Sequence, residues 1–410
     1  MVENFLLLLG ASNDQLCTLR TARAHGVKVV AVDMNPASPG FAQADEYAVI
    51  STRDLPAHKA FADRFQAGGQ RRIGGVLVQG TDIPQVGAEL CEYLGLPTVP
   101  LASALIATDK LRMKQHFRAH GIAVPWFQSC RTLAELDSVI REQGYPLVIK
   151  PVDRSGARGV FLLSDGCAVE ALFAEAQRES FSGQLIVERF TPGLQISTES
   201  VVYRGNVYTV GFADRNYEKL PVFRPSIIEN GGFVPSVCTP LEVAAIDQLI
   251  SACAQSLHVE NGIIKGDIVI GQDGPAVIEV ALRLSGGDFS ESLIPIGTGV
   301  DIIHAAIFMA MGRTLDPAVL VPTRNHAVIN QYFFPPPGRL VAITGVKAVK
   351  ALPWIRKFSL WRQIGDVLPA IRCHADRAGV FIVEAPTRAE AEVRARWVNE
   401  TIHFEVEPVG

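Results

Sequence analysis

A chain of 410 residues that is 48% apolar and 20% charged can bury several cores, and its length suggests two to four domains. A net charge of −4 with no run of Lys or Arg argues against nucleic acid or a membrane as partner and favours small metabolites. Seven cysteines, odd in number and without CxxC or Cys/His ligand spacing, read as reduced, buried thiols of a cytoplasmic protein.

The apolar run Asn4 to Leu9 ends in Gly10-Ala11-Ser12-Asn13-Asp14, a helical face follows to Gly26, and Val27 to Val32 forms a second buried strand closed by Asp33. This is a βαβ unit with a parallel sheet. An acid about 20 positions after a Gly-bearing turn resembles a dinucleotide fingerprint, but Asn13 and Gln15 stand where glycines belong. Alternation continues through Gly75 to Val78, the Gly80-Thr81-Asp82 turn and a helix from Val86 to Leu94. Leu6 to Leu9 is too short for a signal core, and Val300 to Met311 is broken by Asp301 and His304, so no targeting or membrane segment is expected.

Thr108 or Asp109 caps the next helix. After a short strand near Val124 to Gln128 and a helix from Leu133 to Gln143, an apolar strand ends in Lys150, followed by Ser155-Gly156-Ala157-Arg158-Gly159. A buried ammonium needs a partner, and backbone N–H groups of such a loop can wrap phosphate oxygens, although most Gly-rich turns bind nothing. Gln184 to Phe190 is a strand whose end can offer backbone groups to an adenine edge, and Ser197 to Tyr203 pairs with Val207 to Phe212 across a turn. Phe223 to Ser236 has two glycines, two prolines and no period, and reads as a shaped binding loop.

The helix Pro240 to Leu257 leads into two alternating apolar segments, Ile263 onward and Ala276 to Leu282, with Gln272-Asp273-Gly274 between them. That is a hairpin, and a loop of those three residues sets Asp267 opposite Glu279, with Arg283 further along the same side. Like charges so opposed destabilise a sheet by up to about 1 kcal/mol, which points to a cation between them; a solvated hairpin face is the bland alternative. Mg²⁺ suits, because it takes few carboxylates and leaves positions to water and phosphates. A helix from Asp301 to Met311, a linker at Pro317 to Thr323, and strands from Ala327 onward closed by a helix from Thr387 to Ile402 suggest a small C-terminal antiparallel domain. The expected domains are 1–107, 108–322 and 323–410.

Taken in order, Asp109-Lys110, Leu147 to Pro151 with Ser155 to Gly159, Val187 to Phe190, Gly266-Asp267 and Ile278 to Gly287 closely resemble the ATP-grasp superfamily. Glu229-Asn-Gly-Gly232 and Arg283-Leu-Ser-Gly-Gly287 resemble its carboxylate–amine ligases, including the L-amino-acid ligases. The resemblance implies an ATP-grasp fold of α/β and α+β type, with an N-terminal Rossmann-like domain, a lid subdomain at about 120–190 and a small C-terminal antiparallel domain. It implies ATP contacts at Lys110, Lys150, Ser155, Gly156, Gly159, Glu188, Arg189, Phe190 and Gln195. It further implies metal ligands Asp267 and Glu279 for Mg²⁺ (or Mn²⁺), and Arg283 on the transferred phosphate. Substrates would meet Glu229, Asn230, Gly231, Gly232, Ser285, Gly286 and Gly287. Small carboxylate and amine substrates, and a homodimer, are implied as partners.

Two positions depart from the pattern. Ala281 replaces an Asn that would add a metal oxygen, and Gln195 stands where an acid often holds the ribose. The implied reaction is ATP-dependent amide formation through an acyl phosphate. A carboxylase- or formyltransferase-like relative, or a non-catalytic ATP-binding module, is the alternative.

Overall fold

The computed structural model describes residues 2–409, which form four sheets. The N-terminal sheet is parallel, in the order Glu46–Val49, Lys28–Asp33, Glu3–Leu9, Arg71–Val78. The Glu3–Leu9 strand is unbroken and apolar from Phe5 to Leu9 because both faces are covered there. Leu6 and Leu8 pack with Leu19, Ala22 and Ile307, while Phe5, Leu7 and Leu9 pack with Ala62, Phe65 and Leu90. Gln15, in place of a fingerprint glycine, ties the first turn together by donating to Gln79 O (2.7 Å) and accepting from Ser12 N (2.8 Å).

The middle of the molecule is an eight-stranded sheet in the order Gly274–Ala281, Asn261–Gly271, Leu194–Tyr203, Asn206–Arg215, Gly232–Val234, Ala327–Phe333, Gly379–Ala385, Ile355–Leu360, antiparallel throughout. Here the structure departs from the sequence reading in two ways. The stretch expected to be a loop from Phe223 to Ser236 contains the short strand Gly232–Val234, which joins the two halves of this sheet. Three strands of the C-terminal region therefore extend the central sheet, and only Val367–Leu368, Gly338–Thr344 and His403–Glu407 form a separate small antiparallel sheet.

The fourth sheet, Phe127–Cys130, Leu185–Arg189, Leu147–Pro151, Phe161–Leu163, has its own core of Leu147, Ile149, Leu172, Phe173 and Val187 under the helices Leu133–Gln143 and Val169–Glu179. Among the described residues no helix is long and apolar enough to cross a membrane.

Candidate functional site

The Asn261–Gly271 and Gly274–Ala281 strands pair Asp267 with Glu279, as the sequence implies, but by a different route. Gly271 pairs with Gly274, so the turn is one residue shorter than expected, and a bulge between Asp267 and Ile268 restores the lost position. The two carboxylates line one cleft of about 1180 Å³ together with Lys110, Lys150 and Arg283. Each carboxylate has a cationic partner. Asp267, 6% exposed, accepts from Ser197 Oγ (2.9 Å) and pairs with Arg215 (2.6 Å) and Lys265. Burial alone would raise its pKa, but Arg215 and Lys265 outweigh that and hold it far below the carboxylate range. Glu279 pairs with Lys110 at 3.1 Å.

Lys110 begins the helix Lys110–Ala119, capped by Asp109, whose Oδ1 accepts from Leu111 N (2.9 Å) and Arg112 N (3.0 Å). Burial pushes the Lys110 ammonium down, yet Glu279 and Asp82 more than offset it, so it stays charged. Lys150 and Lys114 share Glu188, at 2.8 and 3.4 Å. Glu188 lies within the Leu185–Arg189 strand and is 4% exposed, so its side chain holds two lysines. Its neighbours at the strand end expected to meet an adenine edge use their N–H groups internally: Arg189 N donates to Trp126 O (2.9 Å) and Phe190 N to Pro146 O (3.2 Å). Those two donors are therefore not free for an adenine edge, and the Arg189 guanidinium is spent on Gln143. Gln195 lines the cleft opposite Val269, and its amide makes no hydrogen bond to the protein among the described residues.

Ser155, Gly156 and Arg158 border the cleft. Gly156 has φ +67° and its carbonyl accepts from His374 N (3.0 Å), which ties this loop to the C-terminal region. Gly159 serves packing: a Cβ there would lie 3.1 Å from Ala176, Glu179 and Pro151. Arg283 donates to Asp82 Oδ1 from Nε (2.8 Å) and to Leu284 O (2.9 Å). Burial would raise the Asp82 pKa, but Arg283 and Ser155 bring it to about 2.

At the far end, Glu229 pairs with Arg215 (Nε, 3.0 Å), so one guanidinium bridges Glu229 and Asp267. Glu229, Gly231, Gly232, Ser285, Gly286 and Gly287 line the cleft; Asn230 does not. Its amide is used structurally, donating to Glu218 Oε1 (2.8 Å) and accepting from Tyr332 N (2.9 Å). The sequence reading missed Asp82, Lys114, Arg215, Lys265, Tyr332 and Arg377. Lys114 sits four residues after Lys110 on one helix face, and Lys265 two before Asp267 on one strand face, so spacing could have found both.

The donor set suits Mg²⁺ bound with phosphates: two opposed carboxylates border a cleft with three bases, and among the described residues no third His, Cys, Asp or Glu completes a metal cluster of its own.

Residues 107–287 match the ATP-grasp domain, and residues 331–407 match the L-amino acid ligase C-terminal domain 2. The chain is similar to an L-arginine-specific L-amino acid ligase of Bacillus subtilis, 23% identical over 296 residues that cover 69% of this chain and 68% of that one. It is also similar to carnosine synthase 1 of Mus musculus, 26% identical over 254 residues, 57% of this chain but only 30% of the longer relative. The crystal structure of an L-amino acid ligase from Bacillus licheniformis shares the fold, with a TM-score of 0.83, 19% identity and 99% coverage of both chains.

Proposed function

Because the chain belongs to the ATP-grasp superfamily, on its carboxylate–amine ligase branch, we propose that it joins a small carboxylate, such as an amino acid, to an amine, releasing ADP and phosphate. The carboxylate attacks the γ-phosphoryl group of ATP to give an acyl phosphate, and the amine then displaces phosphate to form the amide. The observation that carries this reading is the single cleft in which the opposed pair Asp267 and Glu279 meets Lys110, Lys150 and Arg283.

Phosphoryl transfer asks a protein mainly for position and charge neutralisation. Lys110 and Lys150 would hold the phosphates, and each is oriented by a carboxylate, Glu279 and Glu188 respectively. Arg283, fixed in direction by Asp82, would meet charge developing on the transferred group. Asp267 and Glu279 would hold Mg²⁺, which when bound neutralises phosphate charge. Gln195 would hydrogen-bond the ribose in place of an acid.

Glu279→Ala is expected to abolish ADP release that depends on a carboxylate and an amine, measured by coupled assay with ATP and Mg²⁺; unchanged turnover refutes the assignment. A cytoplasmic homodimer accompanies this reading, and light scattering on the purified chain tests the dimer.

A further inference from the structure

Glu199, on the Leu194–Tyr203 strand, is fully buried, and nothing in the chemistry proposed above uses it. It lies across from Lys265 on one neighbouring strand and from Gly211 on the other. Gly211 leaves room there: a Cβ would lie 2.6 Å from Ile294 and 3.2 Å from Phe289, so its absence lets the segment Phe289–Leu293 settle on the central sheet. Ser290 in that segment thereby reaches the carboxyl. Glu199 Oε1 accepts from Ser285 N (2.9 Å), and Ser290 Oγ lies 2.8 Å from the same oxygen and 3.1 Å from Ser285 O. One carboxyl thus holds the turn from Ser285 to Ser290 at both ends. Among the described residues no cation pairs with it: Lys265 is taken by Asp267 and Arg283 by Asp82.

Counting protons assigns its charge. A serine hydroxyl has one proton and a carbonyl can only accept, so Ser290 satisfies both contacts only if Glu199 supplies a second proton. The neutral carboxyl and the hydroxyl then close a ring that fixes both the N–H and the C=O of Ser285. Burial acts in the same direction, raising the Glu199 pKa, because an enclosed carboxylate without a cation is costly. The other oxygen, Oε2, has no partner among the described residues, a smaller cost for a neutral acid than for an anion.

Ser285 is where this hold meets the cleft. Glu199 does not line the cleft, whereas Ser285, Gly286 and Gly287 do, and the Ser285 hydroxyl has no partner among the described residues. We propose that Glu199 is a positioning residue for amide formation: it pins Ser285 from behind, and so aims the Ser285 hydroxyl and the two glycines after it at the carboxylate or the amine. The proposal deepens the ligase reading and rests on it for the substrates, but not for the hold of Glu199 on the turn.

The test compares Glu199→Gln and Glu199→Ala with the wild type, using the full chain, ATP, Mg²⁺ and the amino-acid pair that it turns over fastest. Glu199→Ala is expected to lower kcat about 10- to 100-fold while KM for ATP changes by less than about twofold. Glu199→Gln keeps an acceptor for Ser285 N and should lose less than about tenfold. Hydrogen exchange in Glu199→Ala should quicken at residues 284–290 and stay as in the wild type in the strand Glu3–Leu9. In the infrared, the wild type at neutral pH should carry a protonated-carboxyl band that is missing from Glu199→Gln, a reading that needs neither turnover nor the alanine variant. Absence of that band, or Glu199→Gln losing as much as Glu199→Ala, overturns the proposal. So does an unchanged kcat per folded molecule of Glu199→Ala with protection lost across the whole central sheet, the mark of a merely structural role. Absence of phosphate release from the wild type with every pair overturns only the ligase reading; the band and the exchange then still decide whether Glu199 holds the turn.

Discussion

The cluster of Lys114, Lys150 and Glu188 offers a sharp perturbation, Glu188→Gln, which keeps shape and removes one charge. At 2.8 and 3.4 Å the two attractions amount to about 6 and 5 kcal/mol for an effective dielectric of about 20. Burying all three groups takes most of that back, so the intact cluster contributes little net stability. Removing the anion alone is different: it leaves two enclosed ammonium groups facing each other, a loss of about 3–5 kcal/mol. The expected readout is native-state hydrogen exchange in the strands Leu147–Pro151 and Leu185–Arg189, with protection falling about a hundredfold or more. ATP affinity should fall too, because Lys150 loses the group that aims it.

The same reasoning fixes two controls. Lys114 is fully enclosed, and burial lowers its pKa to about 8 despite Glu188. Between about 8 and the ordinary 10.5 it binds fewer protons folded than unfolded, so its contribution to stability rises with pH across that window. Without Glu188 its pKa drops further, and the penalty of Glu188→Gln should shrink as pH rises. Adding Lys114→Met to Glu188→Gln should restore part of the protection, since Lys150, at the cleft wall, then no longer faces a second enclosed ammonium group. Wild-type protection in Glu188→Gln, or a double variant no better than the single, refutes the account.

Asp82→Asn should lower kcat about tenfold or more with little change in KM for ATP, because Arg283 loses the carboxylate that orients it; steady-state kinetics decide. Gly231→Ala should destabilise by about 3 kcal/mol or more, as its φ is +73° and a Cβ would lie 2.1 Å from Asn330 O; urea denaturation checks this. Glu291 is pushed up to about 8 by burial and Asp288 against the pull of Lys357. Folded, it binds more protons than the unfolded chain between 4.5 and about 8, so it lowers stability as pH rises through that window. Glu291→Gln should flatten that slope in denaturation at pH values on either side.

What the sequence disclosed depended on how far apart in the chain the interacting residues lie. Asp267 and Glu279 belong to one hairpin, so counting across the turn finds the pair, and the count survives although the turn is shorter and a bulge compensates. The parallel unit from Glu3 to Asp33 was legible for the same reason: period and turn residues are local signals. Nothing local announces Gly232–Val234 as a strand, because three residues have no measurable period and their pairing comes from Arg215 on one side and Asn330 on the other. That strand carries the C-terminal region into the central sheet, and with it Arg377 to the carbonyl of Glu229. Arg215 was hidden likewise: its value lies in bridging Glu229 and Asp267, residues 14 and 52 positions away that meet only once the sheet has assembled. The end of the cleft around Lys110 and Glu279 is thus written in hairpins and helix caps, whereas the end around Arg215 and Glu229 is written in the order of strands. Residues at that second end, such as Arg215, can therefore change while every sequence motif stays intact.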